Sequence, residues 1–244
     1  MTSVPVDDKM FAELAKIDTP TITNVVATYP RNPLCLGLYN PWTENWYTDA
    51  SIRCMYPDLG AVVGYAVTCV FGLPDPNFPN RLSYMDVVDA LHAARKPTIL
   101  VIQQKWPAEL MAKAGLVGEL MATSMRSLGC VGLLSNGPSR DIDAVRRLRF
   151  QMLLGGVTAG HGEMTVHAVN VPVSVAGMDV APGEIVHMDE NGAVKFPADK
   201  AEAVLANART LLAEEDRQLA MLRKATTAQD VRTAFGGQSY SDKK

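Results

Sequence analysis

The stretch Cys130-Val-Gly-Leu-Leu-Ser-Asn-Gly-Pro-Ser-Arg-Asp-Ile-Asp-Ala-Val-Arg-Arg-Leu148 decides how this chain is read. Its first five residues are a short apolar run that predicts a buried strand. Gly137-Pro138 then signals a turn, and Asp141 to Leu148 predicts a helix. The same strand and helix order extends in both directions. Upstream, Ala61 to Phe71 reads AVVGYAVTCVF, β-branched and apolar, as a buried strand does. Tyr84 to Arg95 carries an approximate helical stripe at Met85, Val88, Ala90, Leu91 and Ala94, and Pro97 breaks it before the strand TILVIQ. A further helix is expected from about Leu116 to Leu128, stopped by Gly129, and a short strand QMLLG begins at Gln151. Such alternation implies a largely parallel sheet with helices packed on its faces.

Both ends of the chain differ in character from this centre. A helix is expected over Asp8 to Lys16, and Asp18-Thr19-Pro20 predicts a second one, with a threonine cap and proline at the first helical position. From Tyr29 to Asp49 proline, asparagine and aromatic residues follow no period, which predicts an ordered loop or lid whose Trp42, Trp46 and Tyr47 cover a cavity or pack. Later, VPVSVAG, EIVHMD and AVKFP are strand-like pieces separated by Ala181-Pro-Gly183 and Glu190-Asn-Gly192, so a C-terminal β layer is expected. A long helix from Ala198 to about Lys224 closes the chain, and SDKK reads as a loose tail. Nothing between residues 1 and 244 reads as a linker or a repeat, so a single domain is expected.

Composition narrows the function classes. The 244 residues carry a net charge of -3, with 48% hydrophobic and 20% charged residues, an ordinary globular balance. No basic stripe exists that would neutralise a phosphate backbone, which argues against a nucleic-acid partner. No apolar run approaches the roughly 18 to 20 residues that cross a bilayer. MTSVPVDDKM lacks the basic start and apolar centre of a signal peptide, so no membrane association and a cytoplasmic location are expected. Cys35, Cys54, Cys69 and Cys130 have no paired spacing and read as reduced thiols. His92, His161, His167 and His187 show no zinc-binding pattern.

Two segments carry candidate chemistry. In parallel α/β sheets ligands collect beyond the carboxyl ends of strands, where Arg140 and Asp141 fall. A structural alternative is that Asp141 caps its own helix and pairs with Arg140 on the surface. Glu119 lies at the start of the preceding helix, where the free amides of Leu120 and Met121 can hold a substrate carboxylate. By itself, Glu119 is also an ordinary helix-start acid. Taken together, two carboxylates and an arginine at adjacent strand ends suit a hard divalent ion that keeps several waters, Mg2+ or Mn2+.

These segments and their order resemble a known family, the regulators of ribonuclease activity A and their catalytic relatives, the class II 4-hydroxy-4-methyl-2-oxoglutarate / 4-carboxy-4-hydroxy-2-oxoadipate aldolases. The resemblance runs from about Leu14 to Pro197 and rests on five pieces. They are Asp18-Thr-Pro-Thr-Ile-Thr-Asn24, Gly64-Tyr-Ala-Val-Thr68, Gly118-Glu-Leu-Met121, Gly137 through Arg140-Asp141, and Val180-Ala-Pro-Gly-Glu184 through Gly192-Ala-Val-Lys-Phe-Pro197. It implies an α/β/β sandwich of the swivelling-domain type, assembled as a homotrimer or hexamer with the active site between subunits. It further implies that Asp141 binds a Mg2+ or Mn2+ ion directly, that Glu119 reaches the ion through water, and that Arg140 holds pyruvate and stabilises its enolate. The amides of Leu120 and Met121 would bind the pyruvate carboxylate. The implied activity is lyase chemistry on a 4-hydroxy-2-oxo acid, or decarboxylation of oxaloacetate, both through the same enolate. The non-catalytic regulators imply an alternative, a protein-binding role. Two positions depart from the aldolase pattern: Asn136 stands where an aspartate is usual, and Glu119 replaces an aspartate.

Lesser candidates are read more plainly. Gly155 to Gly162 is glycine-rich but lacks the lysine and hydroxyl ending of a phosphate loop, and no strand, GxGxxG, helix unit for S-adenosylmethionine is found. His161 is expected to line a pocket or to meet solvent or a neighbouring subunit, His167 and His187 to be structural, and Asp189 to form a turn.

Overall fold

The computed structural model describes residues 8–29, 32–75 and 82–236; the SDKK tail, the start of the chain through residue 7 and two positions of the 29–49 loop lie outside them. Two helices, α1 (Asp8–Leu14) and α2 (Thr19–Val26), lead into the loop, followed by β1 (Arg53–Cys54) and the long β2 (Val62–Gly72). The centre alternates: α3 (Tyr84–Ala93), β3 (Thr98–Lys105), the single turn α4 (Ala108–Met111), α5 (Glu119–Ser127), β4 (Cys130–Ser139), α6 (Ile142–Arg147) and β5 (Gln151–Val157). Five strands follow, β6 (Thr165–Val169), β7 (Val173–Val175), β8 (Met178–Val180), β9 (Ile185–Asp189) and β10 (Gly192–Phe196). Helices α7 (Ala201–Leu222) and α8 (Ala228–Ala234) close the described chain.

Strands β2, β3, β4 and β5 pair in parallel in the order β5-β4-β3-β2. Antiparallel strands extend this core, β1 beyond β5, and β9 then β10 beyond β2, while β6 pairs with the far end of β2. The central strands are apolar on both faces because both faces are covered. On one face Val87, Leu91, Ala122, Met125 and Val145 of α3, α5 and α6 meet Leu100, Ile102, Leu133 and Met152 of the sheet. On the other, the β7–β8 hairpin sets Val173, Val175, Met178 and Val180 against Ile99, Val101, Leu134 and Leu153. Helices, sheet and hairpin are the three layers of an α/β/β sandwich. A third apolar cluster joins α1, α2 and α7 to β9, β10 and the start of β2.

Several boundaries differ from those expected, each for a local reason. The cap of α2 is Asp18 and not Thr19: its Oδ1 accepts from the Thr21 amide at 2.9 Å, so Thr19 and Pro20 are already helical. Helix α5 starts at Glu119, not near Leu116, because Leu116 and Val117 are extended and bond to the end of β4. Strand β4 does not stop at Leu134 but runs to Ser139, absorbing Asn136-Gly137 as an irregularity in its pairing with β5. Of the three late strand pieces only VPVSVAG joins the outer layer; EIVHMD and AVKFP extend the main sheet. The aromatics of the 29–49 loop divide. Trp46 is buried, stacked on Tyr39 with ring centroids 5.5 Å apart and met edge-on by Tyr47, whereas Trp42 is 88% exposed.

A buried polar knot ties the first helices to the sheet. The Thr19 amide donates to Asp189 Oδ2 at 2.7 Å, and Asp189 Oδ1 accepts from Asn191 in the turn before β10. His187 is fully buried between the Leu14 carbonyl, 3.1 Å from Nε2, and Thr19 Oγ1, 3.0 Å from Nδ1. Since a carbonyl only accepts, Nε2 carries the proton and Nδ1 receives the threonine hydroxyl. Burial pushes the imidazole pKa below its ordinary value.

Candidate active site

The end of β4 is held on both sides. Leu116 donates to the Pro138 carbonyl at 3.1 Å and Arg140 to the Val117 carbonyl at 3.0 Å, while Thr158 donates to the Ser139 carbonyl at 3.0 Å from the other side. Behind it, Gln104 at the end of β3 is almost fully buried and reaches Ser135 Oγ at 2.9 Å and the Pro138 carbonyl at 3.2 Å. Asn136 makes a double bond pair with the Gln104 backbone: its Oδ1 accepts from the amide at 2.7 Å and its Nδ2 donates to the carbonyl at 3.1 Å. The β3–β4 ladder ends at the pair Ile102 and Ser135, and the Asn136 side chain carries the hydrogen bonding between the two strands beyond that end. An aspartate there has no hydrogen to give the carbonyl. Gly137 has no room for a side chain, since a Cβ would overlap the Gln104 amide.

From this fixed end the chain turns sharply. Asp141 is left-handed, with φ 57° and ψ 37°, a conformation that costs about 1 kcal/mol for a residue with a side chain and is commonest at functional turns. The turn carries its carboxylate away from its own helix, which receives no side-chain cap, and toward α5, where Oδ2 accepts from the Glu119 amide at 3.0 Å. Asp141 therefore caps the neighbouring helix. Gly118 permits this, because a Cβ on it would overlap Asp141 Oδ2 and press on Arg140 Nε. The first intrahelical bond of α5 runs from Ala122 to the Gly118 carbonyl at 3.0 Å, so the Leu120 and Met121 amides have no acceptor within the helix.

Arg140 does not pair with Asp141. It makes no ion pair among the described residues, and its buried Nε has no acceptor there. A buried donor without a partner calls for a ligand or a cost of about 1–3 kcal/mol. Arg140, Asp141, Glu119, Leu120, Met121 and His161 line one cavity of about 780 Å³. The five residues singled out from sequence are brought together, and His161 is at a pocket wall. His187 and Asp189 belong to the buried knot, and His167 bonds the Leu73 carbonyl at 2.9 Å, apart from the cavity. None of the described residues of the 29–49 loop lines this cavity.

The donor set can be tested against a divalent ion. Among the described residues no three histidine, cysteine, aspartate or glutamate side chains gather as a cage. Two carboxylate residues lining the cavity, Asp141 and Glu119, suit only a hard ion that retains most of its water, as Mg2+ and Mn2+ do. Sequence reasoning placed Gly118 in a family-like segment without giving it a role, and it passed over Gln104. The signal for Gln104 was present, a polar Gln103-Gln104 pair ending an otherwise apolar strand.

Fold and site together define a class, an α/β/β protein with an arginine and two carboxylates around a cavity at the carboxyl end of a parallel strand. The RraA-like family model, described as Aldolase/RraA, matches residues 40–195, and the chain belongs to this family. Among similar curated proteins, one from Halalkalibacterium halodurans named "Putative 4-hydroxy-4-methyl-2-oxoglutarate aldolase" is 27% identical over 131 residues, 53% of this chain and 60% of that protein. A protein of the same name from Shewanella oneidensis is 32% identical over 84 residues, 33% of this chain and 50% of that one. The matches thus span half to three-fifths of these relatives. Two solved structures share the fold. An uncharacterized protein from Pseudomonas syringae has a TM-score of 0.73 at 18% identity, covering 98% of both chains. Streptomyces coelicolor RraAS2, described as an unusual member of the RNase ES inhibitor RraA protein family, has a TM-score of 0.65 at 24% identity, covering 89% of this chain and 98% of its own.

Proposed function

We propose that this protein is a divalent-metal-dependent lyase that cleaves a 4-hydroxy-2-oxo acid, or decarboxylates oxaloacetate, by way of a pyruvate enolate. The observation that carries the reading is Arg140, which has no carboxylate partner among the described residues, beside two carboxylates and two helix amides that have no acceptor within their helix, all lining one cavity. Cleavage of the C3–C4 bond sends its electron pair into C2–C3 as the C4 hydroxyl gives its proton to water held at the Glu119 carboxylate and C4 becomes a carbonyl; the enolate then takes a proton from water at C3 to leave as pyruvate. Negative charge develops on the C2 oxygen, within reach of the Arg140 guanidinium, whose interaction strengthens as that charge grows. The Leu120 and Met121 amides at the positive end of α5 receive the C1 carboxylate and fix the reacting carbons. Asp141 would hold a Mg2+ or Mn2+ ion directly and Glu119 would reach it through water; the ion would supply Lewis-acid stabilisation of the enolate charge. In oxaloacetate the C4 carboxylate leaves as carbon dioxide and the enolate is identical. Names of relatives as aldolases agree with this reading.

A coupled assay for pyruvate tests it. Release from oxaloacetate or small 4-hydroxy-2-oxo acids should require Mg2+ or Mn2+, stop with chelator, and fall by about 10²-fold or more in Arg140→Ala and Asp141→Ala. Undiminished turnover in both variants would end the proposal.

A second reading, a non-catalytic protein-binding regulator, draws on one observation: Leu120 at the cavity is 89% exposed, an apolar side chain that a partner would cover. A neighbouring subunit could equally cover it, in a homotrimer or hexamer with the site between subunits. Light scattering separates these: a trimer or larger assembly that dissociates in Leu120→Lys supports subunit contact, and a monomer without turnover supports a foreign partner.

A further inference from the structure

Beyond the His161-Gly162-Glu163-Met164 segment lies a second cavity of about 670 Å³, and these four residues line both spaces. We propose that this second cavity is the subsite for the C4 substituent of the substrate, and that it selects a bulky apolar substituent of aromatic size. The inference rests on the lyase reading for its orientation, since the pyruvate half occupies the Arg140 side and C4 must point away from it.

The walls support an apolar occupant. Leu73, Pro74, Leu110 and Met164 line the space, and Leu73 just past β2 and Leu110 on α4 are exposed apolar side chains. Trp106 adds an indole ring whose N–H is already given to Gln104 Oε1 at 2.7 Å, so the ring has only its apolar surface to offer. That same bond fixes the wall to the reaction centre, because Gln104 also holds Ser135 and Pro138 at the end of β4 that carries Arg140. Gly160, which also lines the space, is held by the Gly115 amide, which donates to its carbonyl at 3.0 Å. The charged and titratable groups facing the cavity are Lys113, which makes no ion pair among the described residues, and Glu163 and His161 on the shared border. A methyl or carboxyl group at C4 would leave most of these apolar walls wet, whereas a phenyl-sized group would cover them.

The test compares 4-hydroxy-2-oxo-4-phenylbutanoate with 4-hydroxy-2-oxopentanoate. The wild type should show kcat/KM at least about tenfold higher for the phenyl compound, and Leu110→Glu should remove that preference while changing the smaller substrate less than about threefold. Leu110→Ser serves as a second variant should the glutamate disturb folding, which circular dichroism would show. Calorimetric binding of 2-oxo-4-phenylbutanoate and 2-oxopentanoate, neither of which can be cleaved, reads the subsite without turnover. If neither substrate yields pyruvate but the phenyl compound binds at least about tenfold tighter and loses this in the Leu110 variants, the subsite stands and the lyase reading falls. Equal binding of the two compounds by the wild type, or a preference unchanged by both Leu110 variants, overturns the subsite whatever the activity.

Discussion

At the scale of single residues, the site depends on positions with little chemistry of their own. Gly118 is the clearest, because it alone lets the Asp141 carboxylate reach the Glu119 amide. Gly118→Ala should therefore loosen the start of α5, at a cost of about 1 kcal/mol in unfolding free energy, and lose pyruvate release by about 10²-fold, the effect of roughly a 1 Å misplacement of a reacting group. Wild-type turnover in that variant would show that the approach is incidental. Asn136 makes the opposite point. Its aspartate counterpart in the aldolase pattern invites the idea that Asn136→Asp would improve the enzyme. The double bond pair with Gln104 predicts otherwise: the carboxylate cannot donate to the Gln104 carbonyl and sits against it. Urea unfolding should show a loss of about 1–3 kcal/mol. The sequence exposed Asn136 as a departure but not its partner, which lies 32 positions away.

At the scale of elements, helix ends decide the architecture of the site. Helix α5 is capped by a residue of the next strand end and not by its own Gly118, so the site and the helix form or fail together. Helix α2 shows conventional capping, and Asp18→Ala should cost about 1 kcal/mol in unfolding free energy. Pyruvate release should be unchanged, since α2 lies with α7, β9 and β10 and away from the cavity. The existence of most elements was legible from periodicity and from Gly and Pro punctuation. Their ends were less so. Leu116 and Val117 look helical by pattern, yet they pair with Pro138 and Arg140 because the strand end offers them backbone partners. α8 went unread, although Thr227 and Asp230 form a capping box three residues apart.

At the scale of the whole molecule, the buried knot of His187, Thr19 and Asp189 couples the first helices to the sheet and to the acid response of the fold. The folded state keeps His187 neutral, so its pKa lies below the ordinary 6.5 that it recovers on unfolding. Below pH 6.5 the unfolded chain binds the extra proton, and stability falls with pH. The slope from this one group is at most about 1.4 kcal/mol per pH unit and ends once the folded pKa is passed. Denaturant titrations between pH 7 and pH 5 should show this fall in the wild type and a flatter profile in His187→Gln; parallel profiles would assign the acid sensitivity elsewhere. Sequence by itself determined the strand and helix alternation, the parallel core and the residues worth watching, because periodicity and turn chemistry are local properties of the chain. Tertiary structure alone decided that Asp141 serves α5 instead of its own helix, that Arg140 has no ion pair among the described residues, that Asn136 bonds the Gln104 backbone, and that Trp46 is core while Trp42 is not. Each of those outcomes depends on a hydrogen-bond partner or a packing surface supplied by a distant segment, and no local pattern records which segment that is.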